Sequence, residues 1–133
     1  MTQEEKQLLL KDLCARLPYG VKVRRYVHVT PTDAIESIEV FNPYWLSELY
    51  SEEAEFKPYL RPMSSMTEEE KEEMKEVIEI ELTALEGPEG FSVVTAAPSA
   101  FEIDFYNKHH LDYRGLIPMG LALEAPEGMY KIK

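Results

Sequence analysis

The most regular pattern of apolar and polar residues lies between Thr67 and Leu85. Apolar side chains recur there at steps of three and four residues, which predicts a helix whose apolar stripe is Met74, Val77, Ile78, Leu82 and Leu85. Thr67 followed by Glu70 has the spacing of a capping box, and Gly87 with Pro88 ends the pattern. We expect a central helix over residues 67–86 that lies against a sheet and turns its glutamates to water.

Two shorter helices are predicted on either side of the central one, each opened by a capping box of its own. One spans residues 2–16 and the other residues 99–110. In the first, one face is expected to bury Leu10, Leu13, Cys14 and Leu17, with Leu9 flanking that face. In the second, Phe101 and Phe105 are expected to be buried.

Apolar residues at every second position predict a β-hairpin over residues 21–41. Its second strand, residues 35–41, is antiparallel to the first, although residues 34–40 also fit a short helix. Arg25 interrupts the apolar face of the first strand and indicates a bulge or an edge position. Residues 56–66 contain two prolines and are predicted to form an extended strap, while residues 91–95 form a weak further strand.

These elements together predict an α+β fold, in which three main helices pack on a small antiparallel sheet of two to four strands. The 133 residues correspond to one domain, with a C-terminal turn and tail over residues 112–133. A chain of this length buries about two-thirds of the surface of its unfolded state, so it needs neither disulfides nor a structural metal.

The charge of the chain narrows the classes of function. The formal net charge is −11, which makes direct binding to nucleic acid unfavourable. The single cysteine forms no internal disulfide, and there is neither a signal-peptide core nor an apolar run of membrane-spanning length. We therefore expect a cytoplasmic protein that uses no cofactor and no membrane.

Nine acidic residues and two lysines between Thr67 and Glu86 place most of the net charge on the central helix. Such a helix face is typical of a solvated surface. The alternative is that it mimics a nucleic acid and acts as a decoy for a basic protein.

A basic, aromatic-containing face is predicted on the first strand of the hairpin, where alternate side chains point away from the valines. The candidate residues are Lys22, Arg24, Tyr26 and His28. They are suited to hold a phosphate or an acidic partner, and the alternative is that they form the solvated side of the sheet.

The densest cluster of polar residues follows the third helix and comprises His109, His110, Asp112, Tyr113 and Arg114. The two histidines are adjacent and point about 100° apart on a helix, which argues against a shared metal ion. One histidine with Asp112 is compatible with general acid–base chemistry. The alternative is a structural corner, in which Asp112 caps the next turn, Arg114 pairs with Asp112 or a central-helix glutamate, and Tyr113 packs on Tyr59.

Two stretches, KPYLRPMSSMTEEE at residues 57–70 and HHLDYRGLI at residues 109–117, resemble an uncharacterised family of small proteins from gut anaerobic bacteria and their phages and prophages. The resemblance implies a link to a mobile element or its host and implies no particular chemistry.

The hypothesis that follows is a non-enzymatic accessory or protein-interaction module, which binds a protein partner or itself. Two alternatives stay open: the acidic decoy, and a small hydrolase or metal enzyme that uses His109, His110 and Asp112.

Overall fold

The computed structural model describes residues 2–28, 30, 32–50, 54–85 and 100–130, and for residues 49–50 and 77–85 it describes the backbone alone. Helix α1 spans Gln3–Arg16, α2 spans Glu68–Leu85 and α3 spans Ala100–Lys108. Short 3-10 helices occupy Leu17–Tyr19, Pro43–Tyr50 and Met63–Ser65. The predicted strand at residues 91–95 lies outside the described residues.

Four strands form one sheet: β1 is Lys22–His28, β2 is Ala34–Val40, β3 is Ala54–Leu60 and β4 is Leu123–Glu124. Their order is β2-β1-β3-β4, with antiparallel pairing of β1 to β2 and to β3, and parallel pairing of β3 to β4. The predicted α+β class, three helices with a small sheet, is confirmed. The sheet is not purely antiparallel, because the predicted C-terminal tail supplies the parallel strand β4.

Of the segment predicted as an extended strap over residues 56–66, residues 56–60 belong to strand β3, which pairs with β1 over residues 54–58 and with β4 at Tyr59 and Leu60. Proline in a strand removes one ladder donor and so argues against a central position. The Leu60 carbonyl accepts from the backbone N–H of Ala125 at 2.7 Å, so the backbone N–H and C=O of Leu60 point towards β4. The backbone of Pro58, two residues earlier, points to the same side, where β4 pairs only with Tyr59 and Leu60. The missing N–H of Pro58 therefore costs no bond to β1.

Arg25 lies within regular pairing and not at a bulge or an edge. The register of β1 with β2 runs unbroken from Lys22 opposite Val40 to His28 opposite Ala34. The guanidinium of Arg25 lies 4.6 Å from the ring centroid of Trp45 and donates to Glu48 at 3.1 Å. A cation held over an aromatic ring and paired with a carboxylate thus replaces an apolar residue on this face.

Helix α1 buries a face rotated from the predicted one. Its buried residues are Leu9, Asp12, Leu13 and Arg16, whereas Cys14 is exposed. Arg16 Nε donates to Asp12 Oδ2 at 2.9 Å, and Arg16 Nη2 donates to the Leu111 carbonyl at 2.6 Å. The helix turns its ion pair inward because Leu111, far along the chain, presents a buried acceptor.

The apolar residues form two clusters. The larger lies between α1 and the sheet and contains, among others, Leu9, Leu13, Val21, Val23, Phe56, Leu60 and Leu116. The smaller joins Met74 of α2 to Phe105 of α3 and to Leu111. Met74 therefore contacts the corner after α3, as expected, while the side chains of Val77, Ile78, Leu82 and Leu85 lie outside the description. Phe101, predicted to be buried, is 57% exposed because α3 turns Phe105 inward.

Among the described residues, every helix is too short or too polar to cross a membrane.

We predict that Arg16→Met destabilises the protein by about 1.5–3 kcal/mol, because the buried Asp12 carboxylate keeps only Arg114 of its two guanidinium partners and the Leu111 carbonyl keeps only the N–H of Tyr113. Urea unfolding followed by circular dichroism measures this free energy. Lys11→Met, on the exposed face of the same helix, is the control and is expected to change it by less than about 0.5 kcal/mol. A loss below about 1 kcal/mol for Arg16→Met would contradict the structural role of the pair.

Candidate functional site

The corner after α3 is held to α2 by one carboxylate, that of Glu70. The predicted capping box forms: Glu70 N donates to Thr67 Oγ1 at 3.1 Å, and Thr67 N donates to Glu70 Oε1 at 2.9 Å. Arg61, which follows β3, donates to both oxygens of the same carboxylate at 2.6 and 2.7 Å. The paired guanidinium and the N–H of Thr67 lower the pKa of Glu70 to about 2.

His109 directly follows α3 and is buried. Its Nδ1 lies 3.1 Å from Glu70 Oε2, and its Nε2 lies 3.6 Å from Glu73 Oε2. The ring packs on Phe105 with centroids 4.4 Å apart. The Arg61 guanidinium also donates to the His109 carbonyl at 3.3 Å. His109 thus joins the end of α3 to the first turns of α2.

His110 ends helix α3 in an unusual backbone conformation. Its φ is +57°, the only positive value among the described residues other than glycine. Leu111 N donates to the Tyr106 carbonyl at 2.9 Å and His110 N to the Asn107 carbonyl at 3.2 Å, which is the Schellman pattern. Glycine is the usual residue at this left-handed position, since a Cβ is unfavourable there. The imidazole compensates by stacking on Tyr130, with ring centroids 3.8 Å apart.

The charge state of His110 follows from its surroundings. Burial first, and then the electrostatic effect of the neighbouring Arg16, His109, Arg61 and Lys22, lower its pKa to about 4. The ring is therefore neutral near pH 7, and Nδ1 is buried without a hydrogen-bond partner among the described residues.

Asp112 acts as the predicted cap of the next turn. Its Oδ1 accepts from Leu116 N at 2.8 Å and its Oδ2 from Ile117 N at 2.9 Å. Both oxygens are therefore occupied by backbone donors, which leaves the carboxylate poorly placed to orient an imidazole.

Tyr113 and Arg114 make contacts that differ from those predicted. Arg114 Nε donates to Asp12 Oδ1 at 3.2 Å and Arg114 Nη2 to the Tyr113 hydroxyl at 2.8 Å, in place of Asp112 or a glutamate of α2. Tyr113 stacks on Tyr106 at 5.5 Å rather than on Tyr59. The differences arise because α1 brings the buried Asp12 to this corner.

A cavity of about 1100 Å³ opens between the start of α2, the end of α3 and the segment after β4. His109 and His110 lie at its wall. Five glutamates line it, Glu69, Glu70, Glu73, Glu124 and Glu127, against two cations, Arg61 and Lys108. The acidic surface of α2 therefore continues onto residues 124–127.

Within the described residues, no three histidine, cysteine, aspartate or glutamate side chains are arranged to hold a metal ion. Two carboxylates near the histidines are already engaged: Glu70 binds Arg61, and Asp112 binds backbone N–H groups.

The predicted basic strand face is present on the outer side of the sheet. Arg24 lies 3.6 Å from Glu36 and 3.8 Å from Glu55, so part of its charge is neutralised by neighbouring strands. Lys22 Nζ donates to the Met129 carbonyl at 3.1 Å, and Tyr26 meets His28 edge to face. These side chains share one face, and together with Glu36 and Glu55 they form a surface that carries both positive and negative charges.

Beside this face, strand β2 exposes three large aliphatic side chains. Ile35 is 59% exposed, Ile38 56% and Val40 54%. Ile38 and Val40 share the outer face with the basic residues, because they pair with Arg24 and Lys22 in the register. Sequence reasoning assigned β2 as a strand but did not identify it as an exposed one.

Comparison of the chain with protein-family models, curated proteins and solved structures gives no match to any of them.

The low pKa of Glu70 leads us to expect that the free energy of unfolding falls at acidic pH. Its pKa is about 2 in the folded state against an ordinary 4.5, so the unfolded chain takes up the proton first as the pH falls. Stability from this group is fully present above pH 4.5 and is lost towards pH 2, to the extent of about 3 kcal/mol at most.

The measurement is urea unfolding from pH 6 to pH 2 for the wild type and for Glu70→Gln, which preserves the cap. The difference in unfolding free energy should shrink across that window. Glu69→Gln removes one charge from an exposed neighbouring position and should show no such convergence. A constant difference for Glu70→Gln would contradict the assignment.

Proposed function

We propose that this chain is a non-enzymatic protein-interaction module that binds a partner protein on the β1–β2 side of its sheet. The observation that carries the proposal is the exposure of Ile38 and Val40, each more than half accessible on one face of one strand. Removing such side chains from water on binding supplies a favourable free energy, at roughly 25 cal/mol per Å² of apolar surface.

The neighbouring polar residues support the same surface. On the neighbouring strand β1, Arg24 lies directly opposite Ile38, and Tyr26 lies opposite Glu36. Arginine and tyrosine beside aliphatic residues are the composition of many interface centres. Glu36 and Glu55 hold the Arg24 side chain near the sheet, so less side-chain freedom is lost on binding.

The hydrolase alternative receives no support from the contacts of its candidate residues. The Asp112 carboxylate caps a turn, and His109 lies against Glu70, which is itself bound to Arg61. The resemblance to proteins of gut bacteria and their phages suggests that the partner belongs to a mobile element or to its host.

We expect the double variant Ile38→Ser/Val40→Ser to lose partner binding by at least about tenfold, equivalent to about 1.4 kcal/mol. Both side chains are exposed, so the fold should be retained. The measurement is quantitative co-purification after chemical cross-linking in cells of the organism that encodes the chain.

The matched control is Phe101→Ser, which removes an exposed aromatic side chain from α3 instead. It should retain the partner. Retention by the double variant, or equal loss in both variants, would remove the proposal.

A second candidate function, an acidic decoy, rests on a separate observation. The exposed glutamates of α2 continue across the cavity to Glu124 and Glu127, so the negative surface is not confined to one helix. A decoy should displace DNA from a basic DNA-binding protein of the same host in a gel-shift titration.

Glu69→Gln/Glu73→Gln should weaken that displacement at least about threefold, because each carboxylate lost removes one charge-paired contact. Glu36→Gln, on the sheet, should not. Absence of displacement by the wild type at low salt excludes the decoy.

A further inference from the structure

Strand β2 turns alternate backbone groups towards β1 and away from it. Phe41 N donates to the Val21 carbonyl at 2.8 Å, which fixes the odd-numbered residues of β2 as those that bond β1. Ser37 and Glu39 therefore complete the ladder. Glu36, Ile38 and Val40 direct their N–H and C=O groups to the opposite edge, where no described strand pairs with them.

This edge has two of the charges that can oppose strand addition, Glu36 and Glu39, and lacks the other protective features. β2 is seven residues long, pairs without a bulge and contains neither lysine nor proline. Ile38 and Val40 also expose their side chains beside it. Most edge strands are shortened, bent or protected by lysine or proline, so a long regular strand whose only charges are glutamates is suited to pair with a chain that brings basic residues.

The charges of β2 favour one class of occupant. Its only ionisable residues are Glu36 and Glu39. Glu36 lies 3.6 Å from Arg24, whereas Glu39 accepts a hydrogen bond from the Ser37 hydroxyl at 3.0 Å. A second copy of this chain brings another −11 charges, so like-charge repulsion opposes it.

We propose that β2 binds an extended segment of a partner protein by strand addition, and that this segment alternates apolar with basic residues. Backbone groups of residues 36, 38 and 40 bond the added strand, its apolar side chains lie beside Ile38 and Val40, and a basic side chain pairs with Glu39. The inference rests on the proposed interaction function and specifies its partner.

Amide hydrogen exchange of the full chain tests the edge first. The N–H groups of Glu36, Ile38 and Val40 should exchange about tenfold or more faster than those of Ser37 and Glu39. Slow exchange at the first three in a monomer would show that the chain itself covers the edge, and would overturn the proposal.

The probe is a nine-residue peptide of alternating valine and lysine. It should slow exchange at residues 36, 38 and 40, while a valine–glutamate peptide of the same length should not. Equal protection by both peptides, or by neither, overturns the assigned partner chemistry. Protection that appears without peptide and rises with protein concentration, together with a dimer in sedimentation, identifies a second copy as the occupant and also overturns it.

Ile38→Pro removes an edge N–H without removing a bond to β1, and should abolish protection by the peptide. Ile38→Thr keeps the N–H and is the matched control, which should retain most of it. Equal loss in both variants assigns binding to side-chain contact alone. That result would sink strand addition and leave the proposed interaction surface standing, whereas an unaffected partner in the Ile38→Ser/Val40→Ser variant sinks the surface itself.

Discussion

The carboxylate of Glu70 joins three elements of the fold: the start of α2, the residue after β3 and the end of α3. It caps α2 through Thr67, receives two hydrogen bonds from Arg61 after β3, and lies 3.1 Å from His109 at the end of α3. Charge-assisted, two-pronged pairs of this kind are among the stronger polar interactions and fix orientation as well as distance. The position of α2 relative to the sheet therefore depends on a side chain whose local role is only to cap a helix.

The same corner contains a second set of buried charges from a different helix. Asp12 of α1 binds Arg16 at 2.9 Å and Arg114 at 3.2 Å, and Arg16 reaches the Leu111 carbonyl. Buried charges are stable only when paired and hydrogen-bonded; here Asp12 and Arg16 come from one helix, while Arg114 and the Leu111 carbonyl come from the segment after α3. A polar cluster that resembles a catalytic site in the sequence thus has structural contacts that account for most of its charged groups.

Local signals in the sequence predicted where helices begin better than they predicted which residues pack against each other across the fold. The capping boxes of Thr2 and Thr67 need only residues three apart, so they could be read directly. The burial of Arg16 could not, because it depends on a carbonyl ninety-five residues away. Cys14 was misplaced for the same reason, since an inward Arg16 rotates the helix. β3 was misread because the cost of Pro58 depends on which edge it faces.

The backbone groups at the two edges of the sheet differ in how far the rest of the chain provides hydrogen-bond partners for them. Beyond β3, the chain returns twice: Ala125 bonds the Leu60 carbonyl, and Arg61 exchanges backbone bonds with His110 and Asp112. The strained backbone of His110 is retained at the point where its carbonyl accepts from Arg61 N at 2.7 Å. The chain thus places two short segments, one with an unfavourable φ, to satisfy the polar groups at that end. At β2, which is also seven residues long, the described residues supply no such cover. A long edge without a bulge, lysine or proline is open to pairing with another chain, and this is the physical ground for the partner proposed at β2.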